Sequence, residues 1–183
     1  NAMAEGASTW TSAAGAFWAG RMHLALNDAD AARRWFGHAA RHTRTFYGLL
    51  ALDALAMPSA FDWRAAPAKA AEVAGLRRLK AGARALALLQ IGERWRADQE
   101  LQPLVDAADP PLLRTILAVA LTYGAPRAAV QASYRLQKDG VEFVPAGLYP
   151  LAPWPAPAEL GVDRALTLAF MRQESQFNPR AAS

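Results

Sequence analysis

Alanine is the residue that most restricts the fold of this chain, because 44 of its 183 residues are Ala and another 23 are Leu. Val, Ile and Thr together supply only 16 residues. Ala and Leu are strong helix formers, whereas β-branched side chains are the ones that pack well on a sheet. The sequence therefore predicts an all-α protein, in which small side chains let neighbouring helices approach closely.

Cysteine content and charge exclude several classes of function. The chain has no Cys, which excludes disulfides, zinc–thiolate sites and cysteine nucleophiles. Charged residues make up 20% of the chain and give a net charge of +4, too mild a balance to indicate a nucleic-acid partner. The longest charge-free stretches are residues 115–126, too short to span a bilayer, and residues 143–158, which contain five Pro. We therefore predict no nucleic-acid partner, no membrane span and no cofactor.

Short turn signals divide most of the chain into helical segments. Asn27, Gly92 and Gly124 stand 65 and 32 residues apart, close to two periods and one period of a helix–turn–helix repeat. This spacing predicts a tetratricopeptide-like solenoid of helix pairs, a superhelix over residues 5–142, with an irregular helical bundle as the alternative. The predicted helices cover residues 13–26, 31–42, a segment capped by Thr43 or Thr45 and stopped by Pro58, and then 67–78, 83–91, 97–108, 112–123 and 126–137.

The composition of the sequence changes after Gly140, where proline becomes frequent. The five Pro residues of the 143–157 stretch exclude a long helix, so we predict an extended connector over residues 143–160 that runs across a surface. A last helix is predicted to begin at Asp163, a good N-cap, and to continue to about Gln176 before Asn178 and Pro179 end it.

One carboxylate on this last helix has the setting of a general acid. Leu166, Phe170 and Glu174 are each four residues apart and so share a helix face. A carboxylate in line with Leu and Phe is expected to be partly desolvated, which raises its pKa as a general acid at neutral pH requires. An amphipathic helix that happens to carry a Glu in its last turn explains the same spacing.

The residues around Glu174 also match a known sequence motif. Residues 168–183 read Leu-Ala-Phe-Met-Arg-Gln-Glu-Ser-Gln-Phe-Asn-Pro-Arg-Ala-Ala-Ser, which resembles the opening of the catalytic domain of soluble lytic murein transglycosylases. In that family an Arg-Gln-Glu-Ser run, two further residues and Asn-Pro or Asp-Pro surround the single catalytic glutamate. Tyr-Pro-Leu-Ala-Pro-Trp at 149–154, and the segments 17–21, 32–40 and 46–51, are also similar to that family.

The resemblance implies a periplasmic peptidoglycan lytic transglycosylase whose signal peptide has been removed. Glu174 would protonate the glycosidic oxygen between N-acetylmuramic acid and N-acetylglucosamine and then act as a base. The C6 hydroxyl of the muramic acid would attack C1 and leave a 1,6-anhydro end, so that one carboxylate suffices. Ser175 and Ser183 would support the geometry of the site.

The resemblance also implies a division of the chain and a departure from the family. Residues 161–183 would be the N-terminal fragment of a truncated lysozyme-like catalytic domain, because the family's following Gly-Leu-Met-Gln segment does not occur in the 183 residues. We therefore expect the parent protein to cleave peptidoglycan glycan strands and this chain to be inactive, with other cell-wall proteins as possible partners. The alternative is a non-enzymatic helical-repeat scaffold for a protein partner, in which Glu174 is an ordinary helix residue.

Other residues carry weaker signals. His38 and His42 have metal-ligand spacing, but no His-Glu-x-x-His motif and no third ligand accompany them, so no metal site is predicted. Four arginines lie near them in the sequence: Arg33, Arg34, Arg41 and Arg44. They are expected to form a solvated face, with binding of anionic cell-wall glycan as the functional alternative. The Trp residues and Phe17, Phe36 and Phe46 are expected in the core, with platforms on which sugars stack as the functional alternative.

Overall fold

The computed structural model describes residues 2–58, 61–154 and 161–181, and of residues 2–8 the backbone alone. Every regular element in these ranges is an α-helix, so the predicted all-α class is confirmed. The helices are α1 (Ala2–Ala25), α2 (Ala29–Ala40), α3 (Phe46–Ala54), α4 (Ala70–Arg78), α5 (Lys80–Gln90), α6 (Arg94–Ala107), α7 (Pro110–Tyr123), α8 (Pro126–Lys138), α9 (Pro145–Leu148) and α10 (Arg164–Ser175).

The chain divides into two compact units, Asn1–Phe61 and Asp62–Ser183. This division lies well before the predicted boundary at residue 142, and it groups residues 143–154 and α10 with the helices from α4 to α8. The assignment of residues 5–142, 143–160 and 161–183 to separate domains of a parent protein stays a prediction.

The first unit is built from α1, α2 and α3. Asn27 has a left-handed φ of 59° in the turn between α1 and α2, and Asp28 then caps α2 by accepting from the amide of Ala31. A Cβ on Gly20 would meet the ring of Phe36 at 2.7 Å, so the close packing of these two helices depends on that glycine. Of the two predicted caps for α3, Thr45 is the one used, because its Oγ1 accepts from the amide of Gly48.

The aromatic side chains of the first unit follow the core prediction only in part. Phe17 and Phe36 are buried as predicted, with ring centroids 5.6 Å apart. Phe46 is 56% exposed, which is a correction of that prediction. The prediction is also wrong for five of the Trp residues, each at least 38% exposed: Trp10, Trp18 and Trp35, and in the second unit Trp63 and Trp154.

The second unit contains two helical hairpins. Gly92 closes the α5–α6 hairpin at φ 81°, and Gly124 closes the α7–α8 hairpin at φ 66°. Helix α4 packs against α5 and α7, while α6 packs against α8. The core between them is rich in fully buried Leu and Ala, which accounts for the composition of the chain: Leu101, Leu113 and Leu136 lie beside Ala85, Ala97, Ala120, Ala125, Ala129 and Ala132.

Several helix ends differ from the prediction. Helix α1 begins at Ala2 rather than 13, and α2 ends at Ala40 rather than 42. Helix α4 begins at Ala70 rather than 67, where the carboxylate of Glu72 accepts from the amide of Lys69. The differences at α2 and α4 are two or three residues at helix ends, where helices fray and periodicity carries little signal.

The proline-rich segment after Gly140 is not an extended surface connector. Pro145 begins the one-turn helix α9, and Gly147, Leu148 and Ala152 are buried. A Cβ on Gly147 would collide with the side chains of Ser133 and Leu117, so the backbone of α9 lies directly against α7 and α8. Residues 155–160 of the predicted connector lie outside the described residues.

In the part of the chain that the structure describes, none of the helices combines the length and the apolar character needed to cross a bilayer.

Candidate functional site

Helix α10, which carries the predicted catalytic residue, has well-formed ends. Asp163 caps it as predicted, because its Oδ1 accepts from the amides of Ala165 at 2.8 Å and Leu166 at 3.1 Å. The helix ends at Ser175, one residue before the predicted end. Gln176 and Phe177 then adopt left-handed φ angles of 48° and 62°. Two left-handed residues in succession turn the chain sharply back toward the helices that precede it.

Phe177 anchors the end of α10 to the second unit. Its side chain is 4% exposed and packs with Val130 of α8 and Ala152 of the proline-rich segment. Leu168 and Met171, on α10 itself, are partly buried against the same cluster. No residue of α10 is fully buried, so this small cluster supplies much of the apolar contact that holds the helix in place.

Arg172 is the second anchor of α10. Its Nε donates to the carbonyl oxygen of Leu148 at 2.6 Å, and its Nη2 donates to the hydroxyl of Tyr134 at 2.8 Å. Its guanidinium carbon lies 4.4 Å from the ring centroid of Tyr149, within the range of a cation–π contact. Arg172 therefore joins α10 to α8 and α9 through polar contacts that fix the rotation of the helix about its axis.

That rotation determines where Glu174 lies. Successive helix residues are about 100° apart, so Glu174 is about 200° from Arg172 and faces away from α8 and α9. The side chain of Glu174 is exposed, as are Leu166 at 50% and Phe170 at 59%. The three residues do share a face as predicted, but the expected partial desolvation of Glu174 is wrong for this chain because that face is open to solvent.

The surroundings of Glu174 are sparse. Among the residues that the structure describes, no side chain or backbone donor contacts its carboxylate, and no basic residue forms an ion pair with it. Ser175 uses its hydroxyl locally, donating from Oγ to the carbonyl oxygen of Met171 at 2.9 Å. Ser183, the other predicted supporting residue, lies outside the described residues. The catalytic role of Glu174 and the supporting roles of both serines stay predictions.

A groove of about 620 Å³ opens on the other side of α10. It lies between the inner face of the helix and the segment around α9, and it is lined mainly by apolar side chains. Its lining includes Trp63, Tyr149, Leu151, Leu168, Ala169 and Arg172. The sequence analysis did not predict this groove, because Trp63 lies more than eighty residues before the other lining residues named here. Helix spacing indicated only that Arg172 and Glu174 point in different directions from α10.

The histidine and arginine cluster of the first unit shows no metal-site geometry. His38 lies on α2, but His42 follows the end of that helix, so the two do not share the helix face on which their spacing was considered. The ring of His38 lies 5.7 Å from that of Trp35. Within the described ranges, no group of three or more potential ligands comes together. Arg33, Arg34, Arg41 and Arg44 are all exposed.

Comparison of the chain with models of known protein families, with curated proteins and with solved structures finds no match. The family resemblance carried by residues 168–183 therefore stays a prediction.

Proposed function

We propose that this chain belongs to a periplasmic peptidoglycan lytic transglycosylase in which Glu174 is the acid and base. The observation that carries the proposal is the arrangement of the Arg-Gln-Glu-Ser run on α10. Arg172 points into the protein and holds the helix through Leu148 and Tyr134, which leaves Glu174 exposed on the opposite face. An exposed carboxylate on a helix of fixed rotation is available to a glycan strand laid along that face.

The proposed reaction conserves all atoms of the substrate. The Glu174 carboxylic acid gives its proton to the glycosidic oxygen as the C1–O4 bond breaks, so that N-acetylglucosamine leaves with a free 4-hydroxyl. The resulting carboxylate then takes the proton of the muramic acid C6 hydroxyl as O6 bonds to C1. No water enters, so a second carboxylate to activate water or to attack C1 is not required.

The finer fold assignment belongs to the same proposal. We assign the α1–α2, α5–α6 and α7–α8 hairpins to a tetratricopeptide-like superhelix, and α10 to the first helix of a lysozyme-like domain. The left-handed turn residues Asn27, Gly92 and Gly124 support the repeat, since each closes a helical hairpin at the predicted position. Leu166 and Phe170 support the second assignment, because exposed Leu and Phe beside Glu174 suit a helix that a further part of a domain covers.

The exposure of Glu174 also supports the other candidate function, a non-enzymatic helical-repeat scaffold. A general acid needs a partly desolvated carboxylate, and the described residues do not supply one around Glu174. A scaffold would use exposed apolar side chains for a protein partner, and Trp18 and Phe46 of the first unit are exposed by more than half. The two candidates differ in whether Glu174 is required for glycan cleavage.

Purified peptidoglycan treated with the full-length parent protein tests the proposal. We expect mass spectrometry to detect 1,6-anhydro-muropeptides, and we expect Glu174→Gln to lower their formation at least about a hundredfold, because general acid catalysis contributes about that much.

Asp53→Asn is the matched control, since it also neutralises an exposed carboxylate but lies in the first unit. It should leave product formation unchanged. Hydrolysed, non-anhydro ends as the main product, or full activity of Glu174→Gln, would contradict the proposed role. Absence of any cleavage, together with capture of a defined protein partner, would favour the scaffold.

A further inference from the structure

The groove behind α10 has the size and the lining of a small-molecule site. Its volume of about 620 Å³ lies within the range of about 300 to 1,000 Å³ that such sites occupy. Leu168 and Ala169 form the wall on α10, and Tyr149 and Leu151 line the groove from the segment that follows α9. The ring of Tyr149 also lies 6.3 Å from that of Trp63, so two aromatic side chains border the groove.

Arg172 supplies the only ionic group among the described lining residues. Both of its hydrogen bonds are to uncharged oxygens, the Leu148 carbonyl and the Tyr134 hydroxyl. No described carboxylate pairs with its guanidinium, although the side chain is half-buried. A cation that is partly withdrawn from water without a counterion is unfavourable. The rings of Tyr134 and Tyr149 offset part of this cost, but within the described residues the groove holds a positive charge with no matching negative charge.

The guanidinium also has donors to spare. Arginine carries five N–H groups in a planar fork, and the two hydrogen bonds to Leu148 and Tyr134 use two of them. The remaining three can meet a carboxylate, the planar acceptor whose geometry the fork matches best. An apolar wall beside such a donor set complements a ligand that is itself apolar over most of its length and anionic at one end.

We propose that this groove binds a small molecule with an apolar body and a single carboxylate, with Arg172 as the carboxylate-binding residue. The apolar body lies between α10 and the Tyr149–Leu151 segment. The site is on the face of α10 opposite Glu174, so it is separate from the proposed glycan-cleaving face and does not depend on that proposal.

Calorimetric titration of the chain with decanoate, and in parallel with uncharged decan-1-ol, tests this inference. The two probes share an apolar chain and differ in the carboxylate. We expect decanoate to bind saturably and at least about tenfold more tightly than decan-1-ol, which corresponds to about 1.4 kcal/mol for the charged contact. Equal affinity of the two probes, or no saturable binding of decanoate, would overturn the proposal.

Substitutions then assign the contact to Arg172. Arg172→Gln should lower the affinity for decanoate at least about tenfold and leave the affinity for decan-1-ol unchanged, because it removes the charge but keeps a donor for the Leu148 carbonyl. Arg164→Gln is the matched control: Arg164 lies on the same helix and also donates to a backbone carbonyl, that of Ala152, but it does not line the groove. It should leave both affinities unchanged.

Two further variants keep the test decisive if Arg172→Gln disturbs the placement of α10 and both probes lose affinity. Arg172→Lys restores the charge and should recover part of the decanoate affinity. Ala169→Trp should abolish binding of both probes, because it fills the groove while keeping the charge of Arg172. Decanoate binding that persists in Ala169→Trp, or that Arg172→Lys fails to recover, would place the ligand elsewhere and overturn the proposal.

Discussion

Asp98 shows how a single buried residue can make the stability of this protein depend on pH. It lies on α6, is 6% exposed, and accepts from the amide of Ala128 in the first turn of α8. Burial raises its pKa from 3.8 to about 6, and the Ala128 amide and the charge of Arg127 offset only part of that effect. The carboxylate therefore caps a neighbouring helix at the expense of its own hydration.

The sign of the pH effect follows from the raised pKa of Asp98. Between about pH 4 and pH 6 the folded chain holds the Asp98 proton and the unfolded chain has released it, so the free energy of unfolding falls as pH rises through this range. A shift of about two pKa units corresponds to about 2 to 3 kcal/mol. Asp98→Asn, which cannot ionise, should therefore become more stable relative to the wild type by about that amount between pH 4 and pH 8.

Urea denaturation of both proteins at pH 4, 6 and 8 measures this difference. Asp106→Asn serves as the control, since Asp106 lies on the same helix but is exposed. The difference in free energy of unfolding between Asp106→Asn and the wild type should stay constant from pH 4 to pH 8. A stability difference between Asp98→Asn and the wild type that stays constant with pH would show that Asp98 does not titrate in this way.

Gly147 is the residue at which α9 meets the helices beneath it. A Cβ at this position would collide with Ser133 and Leu117, so Gly147→Ala should destabilise the chain by about 1 to 3 kcal/mol, the usual cost of overpacking. Gly75→Ala on α4 is the matched control, because its Cβ would meet nothing closer than 3.7 Å. That substitution should be neutral or stabilising, since Ala has the higher helix propensity.

Ser133 is one of the two side chains that limit the space around Gly147. Its Oγ is buried and, within the described residues, has no hydrogen-bond partner. Ser133→Ala removes an atom that the new Cβ would strike, so the double variant with Gly147→Ala should regain part of the lost stability in chemical denaturation. Simple additivity of the two substitutions would indicate that Leu117 alone, and not Ser133, limits the space.

At the level of whole elements, α7 and α10 differ in how firmly they are held. Helix α7 contributes fully buried Leu113 and Ile116 to the core of the second unit, whereas no residue of α10 is fully buried. Elements with few buried contacts open locally without global unfolding. The proposed catalytic helix is therefore the weakly held one, attached mainly through Arg164, Arg172 and Phe177.

Native-state hydrogen exchange should reveal this difference. We expect the amides in the middle of α10 to exchange at least about tenfold faster than those in the middle of α7, a gap of about 1.4 kcal/mol or more in opening free energy. Phe177→Ala should raise exchange in α10 further and leave α7 unchanged, because it removes the apolar anchor of α10 alone. Equal protection of the two helices would contradict this account.

The elements also show which predictions could succeed from sequence. The Asp163 cap and the turns at Asn27, Gly92 and Gly124 were predicted at the right residues, because a cap or a left-handed turn depends on groups a few residues away. The surface course of the proline-rich segment was predicted wrongly. Its prolines do exclude a long helix, but Gly147 and Leu148 are buried by contacts with helices that lie far away in sequence.

On the scale of the whole molecule, the sequence by itself determined the helical class, the hairpin turns and the Asp163 cap. These follow from the Ala and Leu content and from side chains that satisfy nearby backbone groups. Tertiary structure alone decided the burial of Asp98, the exposure of the Trp residues, the groove behind α10 and the direction of Glu174. Each of these depends on contacts between distant segments, as when Arg172 meets Tyr134 thirty-eight residues before it. Periodicity places a side chain on a helix face, but only packing decides whether that face meets protein or solvent.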